Sequence, residues 1–306
     1  FHMAGSDFAV GQILLGGTTI IVDGFDMDEI ARLVSTEKIS YIGLQPGMIR
    51  RLCDYLVLHK VVPRGIKRAG AMPDLVPKTE IRDITRVLNC SYLNSMGSSE
   101  TGMFPATGNV LPIGVEPPSF SKHEGPYGLL RLVDEAGNDV TTGVPGECLV
   151  KGPTLFSGYW GDEKATREAF EGGWFHLGDI MVRNDDGSLD FVDRKSAMIK
   201  SGGENIYPAE VEAALLSDER IKEACVFGRR DDKWGEVPIA FVVRSDPLLT
   251  AEDIPEIVIR TLARYKRPKE VYFVDSEWLP RSASGKIVRK VVKEQYERMV
   301  INPKEV

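Results

Sequence analysis

The sequence is poor in the features that would announce a membrane span, a disulfide framework or a nucleic-acid partner. No apolar run reaches the roughly 18 to 20 residues needed to cross a bilayer, so no transmembrane segment is expected. There are four cysteines, Cys53, Cys90, Cys148 and Cys225, scattered without a C-x-x-C or a Cys/His ligand spacing. That excludes a disulfide scaffold and a zinc site of ordinary spacing, and it reads as a reduced, cytoplasmic protein. The formal net charge of -7 leaves no general basic patch for nucleic acid. A P-loop is missing as well: Gly16-Gly17-Thr18-Thr19 lacks the lysine and the Ser/Thr after it, feeds a strand-like stretch, and reads as a turn. Phe1-His2-Met3-Ala4 has no initiator methionine in first place and no signal-peptide architecture.

What remains is a chain of 306 residues, 42% apolar and 27% charged, which suits a globular protein of two or three domains. Residues 1–108 alternate: apolar, β-branched stretches at Gly11–Leu15 and Thr18–Val22, a helical pattern over Met27–Glu37, a short buried strand at Ile39–Leu44 and another helix over Met48–His59. Such alternation predicts α/β layering on a largely parallel sheet. From Asn109 prolines and glycines separate short strands such as Gly128–Val133 and Gly146–Lys151, the texture of a small β-barrel over 109–194. Asp134–Asn138 reads as a hairpin turn. The last stretch, 195–306, reads as a mobile α+β domain in which Tyr207-Pro208-Ala209-Glu210 opens a helix, proline in its first turn and acid near its positive end.

Four stretches carry candidate chemistry. Asn94-Ser95-Met96-Gly97-Ser98-Ser99-Glu100-Thr101-Gly102 follows the expected strand Cys90–Leu93, and a loop at the carboxyl end of a parallel strand is where open α/β sheets bind ligands. There Gly97 would let the backbone approach a ligand, the hydroxyls of Ser98, Ser99 and Thr101 could donate to phosphate, and Glu100 could bind a hard cation. A polar turn entering a helix explains the same residues equally well. Gly173-Trp174-Phe175-His176-Leu177-Gly178-Asp179 offers Asp179 as an acceptor for vicinal ribose hydroxyls, or an ordinary turn aspartate; His176 reads as structural. Asp193-Arg194-Lys195-Ser196, continuing to Ser201-Gly202-Gly203-Glu204, joins a guanidinium fork to a glycine pair, or forms a charged linker. Pro280-Arg281-Ser282-Ala283-Ser284-Gly285-Lys286 sets one lysine on a loop of small residues, or is a solvated basic tail.

Taken together and in this order, the four stretches resemble the adenylate-forming superfamily: acyl- and aryl-CoA synthetases, nonribosomal peptide adenylation domains and luciferases. The resemblance covers essentially the whole chain, and Ser-Gly-Gly-Glu-Asn-Ile-Tyr-Pro-Ala-Glu-Val-Glu looks most like the acyl-CoA synthetase branch. It implies a two-step reaction in which a carboxylate attacks the α-phosphate of Mg·ATP, and the thiol of CoA then takes the acyl group. It implies that Met96 packs on adenine, Ser99 contacts phosphate, Glu100 holds Mg, and Asp179 with Arg194 binds ribose. Lys286 would bridge carboxylate and α-phosphate. Phe1-His2 and Ala69-Gly70-Ala71 would border the acyl pocket, Ser196 would be the hinge, and Ser201, Gly202, Gly203 and Glu204 would face the pantetheine channel. Arg281, Arg289 and Lys290 would keep the Lys286 loop solvated, and some of them would meet CoA phosphates.

The family's Ser/Thr/Gly-rich phosphate loop would precede Phe1, so the resemblance implies a fold incomplete at its N-terminus, in a truncated chain, a proteolytic fragment or a defective reading frame, with adenylation impaired. A cut parallel sheet would expose an edge that could drive formation of a homo-oligomer. The substrate expected is a fatty or related carboxylic acid. An aryl-CoA ligase or a carrier-protein-loading adenylation domain is the alternative, and a noncatalytic fragment that binds CoA or a partner is one of another class.

Overall fold

A computed structural model describes residues 3–71, 74, 76–107, 109–282 and 285–301. The chain divides into two compact units, one of residues 1–177 and 181–191 and the other of residues 178–180 and 192–306. His2 of the acyl-pocket expectation lies outside the described residues.

The first unit contains a four-stranded sheet. Its strands Tyr41–Gly43, Arg68–Ala71 and Ser91–Asn94 are parallel neighbours, and Asn109–Leu111 runs antiparallel to the last of them. The helices between them follow from local chemistry. Asp26 caps Met27–Thr36 by accepting from the Glu29 amide at 3.0 Å, and Pro46 occupies the first turn of Pro46–Leu58, where its missing N–H costs nothing. Helix Lys78–Leu88 ends at Asn89 in the left-handed region, φ 49°. Their apolar faces bury Ile30, Val34, Ile49, Leu52, Leu56, Ile81, Ile84 and Leu88 around Tyr92 and Ala69 of the sheet. Each large aliphatic side chain so buried contributes about 1.5–3 kcal/mol.

The start of the chain departs from expectation. Residues 3–14 form one helix, Met3–Leu14, and Thr18–Val22 holds no strand. The run Ala9–Leu15 has neither a two-residue nor a helical polar alternation, so periodicity does not decide its conformation. Val10, Ile13 and Leu14 are 54%, 67% and 80% exposed, so burial does not decide it either. Gly16 supplies a turn, as expected.

A second four-stranded sheet follows, built of Leu129–Val133, Gly146–Lys151, Phe175–Arg183 and Leu189–Arg194 in that order. The turn at Asp134–Asn138 is closed by the Asp134 carboxylate, which accepts from the Ala136 and Asn138 amides.

The second unit is organised on one long hairpin, Ile221–Asp231 with Gly235–Arg244, and the strand Glu270–Phe273 runs parallel to its second arm. Both hairpin strands are buried nearly throughout, because each face is covered. Val226, Ala240 and Val242 face one apolar cluster with Val211, Leu215, Ile254 and Val258. The alternate residues Cys225, Phe227, Ile239 and Phe241 face another with Leu279, Val292 and Tyr296. Phe241 lies parallel to Trp278, with centroids 4.8 Å apart. Helix Pro208–Leu216 begins at its proline, and helix Asp253–Ile259 is shorter than its apolar pattern suggests.

Candidate active site

In the first unit the loop after strand Ser91–Asn94 is folded onto itself. The Ser98 and Gly102 backbones bridge, with Gly102 N to Ser98 O at 2.9 Å and Ser98 N to Gly102 O at 3.2 Å. Thr101 is fully buried, and its hydroxyl donates to the Phe104 carbonyl and accepts from the Ser98 amide at 3.0 Å. The Ser98 hydroxyl accepts from the Glu100 amide at 3.2 Å. Ser98 and Thr101 are therefore engaged in shaping the loop and not, as expected, in donating to phosphate; Ser99 is the exposed hydroxyl of the three. No helix begins here, which removes the capping alternative.

Gly97 is required for a reason other than ligand approach. A Cβ built on it would lie 1.9 Å from the Gly102 carbonyl oxygen, so the loop itself fills the space. Met96 is also placed differently from expectation. It is 3% exposed and packs in the core with Phe104, Leu132, Val150 and Phe175. A flexible thioether fills such a gap readily, and in this conformation it presents no surface to a ring.

Glu100 stays at the loop's accessible side. Tyr159 donates its hydroxyl to Glu100 Oε1 at 3.2 Å, and the Phe156 amide donates to the Glu100 carbonyl at 2.8 Å. Burial, with the Glu100 charge beside it, pushes the Tyr159 hydroxyl above its ordinary pKa, which keeps it a donor. Tyr159 lies 59 positions from Glu100 and was not legible as its partner. Among the described residues no three His, Cys, Asp or Glu side chains gather as a metal cage. A single carboxylate of this kind fits magnesium, which is commonly held by one or two carboxylates plus substrate phosphates and water. Gly70 and Ala71 end their strand one strand away from this loop. A Cβ at Gly70 would come within 2.9 Å of the Tyr41 hydroxyl, so a side chain there would displace that ring. His176 is structural as expected, its ring nitrogens 3.2 Å from Glu147 Oε1 and 3.3 Å from the Glu171 carbonyl.

In the second unit Asp179 and Arg194 meet directly, Arg194 Nε to Asp179 Oδ1 at 2.9 Å, with Asp179 only 4% exposed. The two form a pre-assembled pair. Ser196 sits exposed in the single turn Lys195–Ala197, between the strands Leu189–Arg194 and Ile199–Ser201. Ser201 to Glu204 form the tight reversal between the antiparallel strands Ile199–Ser201 and Glu204–Ile206. Gly202 has φ +61°, donates its amide to the Trp234 carbonyl at 2.8 Å, and lies so close to the indole that a Cβ would stand 2.6 Å from Cε3. Trp234 is 44% exposed, with the Lys233 ammonium 4.7 Å above its ring.

Lys286 lies in a loop closed at its base. The Ser282 amide donates to the Lys286 carbonyl at 2.8 Å, and Arg281 and Ile287 bridge. The flanking arginines overturn expectation. Arg281 forms an ion pair with Glu223 and donates to Ser276 Oγ at 3.3 Å. Arg289 Nη2 donates to both carboxylate oxygens of Glu212, at 3.0 and 2.9 Å, and its Nη1 stands 3.8 Å from Asp193 Oδ1. Glu212 also accepts from the Val226 amide, and Asp193 from the Ala209 amide at the start of helix Pro208–Leu216. Burial pushes the Glu212 carboxyl up, with Arg289 pulling it back. These arginines are tied to carboxylates and anchor the loop; Arg281 and Lys290 are exposed and Arg289 is half-buried.

An open groove of about 610 Å³ on the helices Pro46–Leu58 and Lys78–Leu88, lined by Arg50, Cys53, Val57 and Asp83, contains none of the candidate site residues.

The sequence profile described as AMP-binding enzyme matches residues 1–160, and that of the AMP-binding enzyme C-terminal domain matches residues 210–286. A 2-succinylbenzoate–CoA ligase of Bacillus cereus is 33% identical over 302 residues, covering 98% of this chain and 61% of that protein. An indoleacetate–CoA ligase of Aromatoleum aromaticum is 33% identical over 297 residues, covering 96% of this chain and 57% of that protein. Among solved structures, o-succinylbenzoate CoA synthetase from Bacillus subtilis, in complex with its acyl-adenylate intermediate, superposes with a TM-score of 0.77 at 28% identity. That superposition covers 95% of this chain and 58% of the synthetase. The chain thus spans about three fifths of the length of the curated relatives it matches.

Proposed function

Because the chain belongs to the AMP-binding enzymes and carries their C-terminal domain, we propose that it serves an AMP-forming acid–CoA ligase. The observation that carries this reading is the order of the candidate residues on two folded units. A phosphate-side loop with Glu100 stands at a strand end in one, and the Asp179–Arg194 pair and the anchored Lys286 loop stand in the other. An aryl-bearing carboxylic acid is favoured over a fatty acid, since the similar proteins act on 2-succinylbenzoate and indoleacetate. Second-step transfer to CoA is favoured over a carrier protein on the same ground.

In this mechanism Ser99 and the loop backbone hold phosphate oxygens, and Glu100, steadied by Tyr159, would hold Mg. Bound there, Mg would offset phosphate charge. Asp179 and Arg194 orient the ribose hydroxyls. Gly70 and Ala71 border the acid. As the carboxylate oxygen bonds to the α-phosphorus, pyrophosphate leaves and negative charge gathers on the α-phosphate. A cation pre-positioned there stabilises that state more than the ground state, which is the role assigned to Lys286. For the second step Ser196 is the pivot and Ser201–Glu204 the surface offered to pantetheine. The three-part organisation 1–108, 109–194 and 195–306, with the last part moving, belongs to the same proposal, as does a cytoplasmic setting; no described helix is long and apolar enough to cross a membrane.

The test is carboxylate-dependent pyrophosphate exchange by the protein at its full natural length, run with aryl and fatty acids and followed by mass spectrometry with CoA. Aryl-acid-dependent exchange and an aryl-CoA product are expected, with Lys286→Ala lowering exchange by about 10²–10³-fold, the scale of losing one transition-state donor. Undiminished exchange in Lys286→Ala removes the lysine from the mechanism, and retention of CoA without exchange favours a noncatalytic binding role.

A further inference from the structure

The first unit buries a lysine that the mechanism does not use. Lys122 is fully buried, and its ammonium donates to Asp74 Oδ1 at 2.5 Å and to the Phe120 carbonyl at 2.9 Å. The same carbonyl accepts from Asn94 Nδ2 at 2.9 Å, and Asn94 is fully buried as well. The lysine's own backbone is pinned to Leu189 by two hydrogen bonds, of 2.9 and 2.8 Å. Asp74 comes shortly after the strand that ends in Gly70–Ala71, and Asn94 ends the neighbouring parallel strand, directly before the loop of Met96 to Glu100. One cation therefore reaches the carboxyl ends of two adjacent parallel strands, the edge at which open α/β sheets take their ligands.

An apolar side chain of similar length would fill this space without desolvating an ammonium, and buried ion pairs replaced in that way are often no less stable. What the charge adds over packing is direction. The ammonium fixes the carboxylate of one segment and a carbonyl shared with the other at hydrogen-bonding distance, whereas methyl groups would let the two slide. Burial, and to a lesser extent the Asp190 charge, push the Asp74 carboxyl up, and the Lys122 ammonium pulls it back.

We propose that Lys122 is a positioning residue, a brace that sets the acid-side segment after Gly70–Ala71 against the nucleotide-side loop after Asn94. This rests on the ligase reading, which names what each loop binds. Misplacing two reacting groups by about 1 Å costs on the order of 10²-fold in rate.

The experiment compares the full-length protein with Lys122→Met and with Asp74→Asn/Lys122→Met, the second removing both buried charges so that the fold is kept. Expected are a thermal midpoint in the double variant close to wild type, a kcat for adenylation lower by about 10²-fold in both variants, and faster hydrogen exchange at amides 94–102 with amides 221–244 unchanged. A double variant with wild-type kcat and wild-type exchange at 94–102 would overturn the proposal, as would failure of both variants to fold. A wild-type protein without acid-dependent pyrophosphate exchange would sink the ligase reading alone, since the exchange rates at 94–102 still decide whether the brace exists.

Discussion

Two loops carry the candidate chemistry, and they are stabilised by opposite means. The loop Ser95–Gly102 is held by backbone bridges, buried hydroxyls and a glycine that leaves room for a carbonyl. The Lys286 loop is held at its feet by arginines paired with Glu223, Glu212 and Asp193. The bonds that hold the first are between neutral groups. The second depends on charges at least partly withdrawn from water, where losing one partner leaves the other uncompensated. One loop is thus held by neutral groups and the other by ions.

The sharpest way to break this contrast is Arg289→Met. It strands Glu212 and is expected to cost about 3–5 kcal/mol, confined to the second unit. The sign of its pH dependence is fixed by burial. A carboxyl raised in the folded state favours folding most below the ordinary glutamate range, and that contribution is lost as pH rises through its folded pKa. Without Arg289 the folded value rises further, so the deficit against wild type should shrink toward acid pH and grow toward neutral. Denaturant melts at several pH values, read with hydrogen exchange in 208–231, check this; a deficit independent of pH would contradict it.

Gly97→Ala probes the neutral loop. The added methyl meets the Gly102 carbonyl, and the loop must open at a cost of about 1–3 kcal/mol. Urea melts should show this loss unchanged by pH, with faster exchange at amides 96–104. Smallest is Asp218→Asn. Arg220, bonded through Nε and Nη2 at 2.9 Å each, holds the Asp218 carboxyl down to about 2. Its contribution is complete above the ordinary aspartate range and fades as pH falls toward about 2. Wild type and variant should therefore differ at neutral pH and converge in acid, in the second unit only.

Much of this was legible in the residues. Pro208 with Glu210 marked a helix start, the strand Gly146–Lys151 was bounded by its own composition, and the site loops were readable as motifs because their chemistry is local. What escaped was non-local. Arg281 and Arg289 read as a solvated basic run because Glu223 and Glu212 lie 58 and 77 positions away. Tyr159, Lys122 and Trp234 escaped for the same reason, each meeting its partner only after folding. Met96 and Gly97 were read as facing a ligand because sequence does not tell which side of a loop is already filled. At Ala9–Leu15 the residues themselves are indifferent between strand and helix, and no burial pattern settles the matter.

The contact between Gly202 and Trp234 gives the protein an optical gauge of its own. An indole under half exposed, with a glycine against its face and a lysine over it, emits according to how that turn is seated. Trp160 is open to solvent, Trp174 lies beside Arg131, and Trp278 is stacked on Phe241. With those three replaced by phenylalanine, the remaining fluorescence would follow the reversal Ser201–Glu204 in real time, without a dye and without touching a residue of the proposed chemistry.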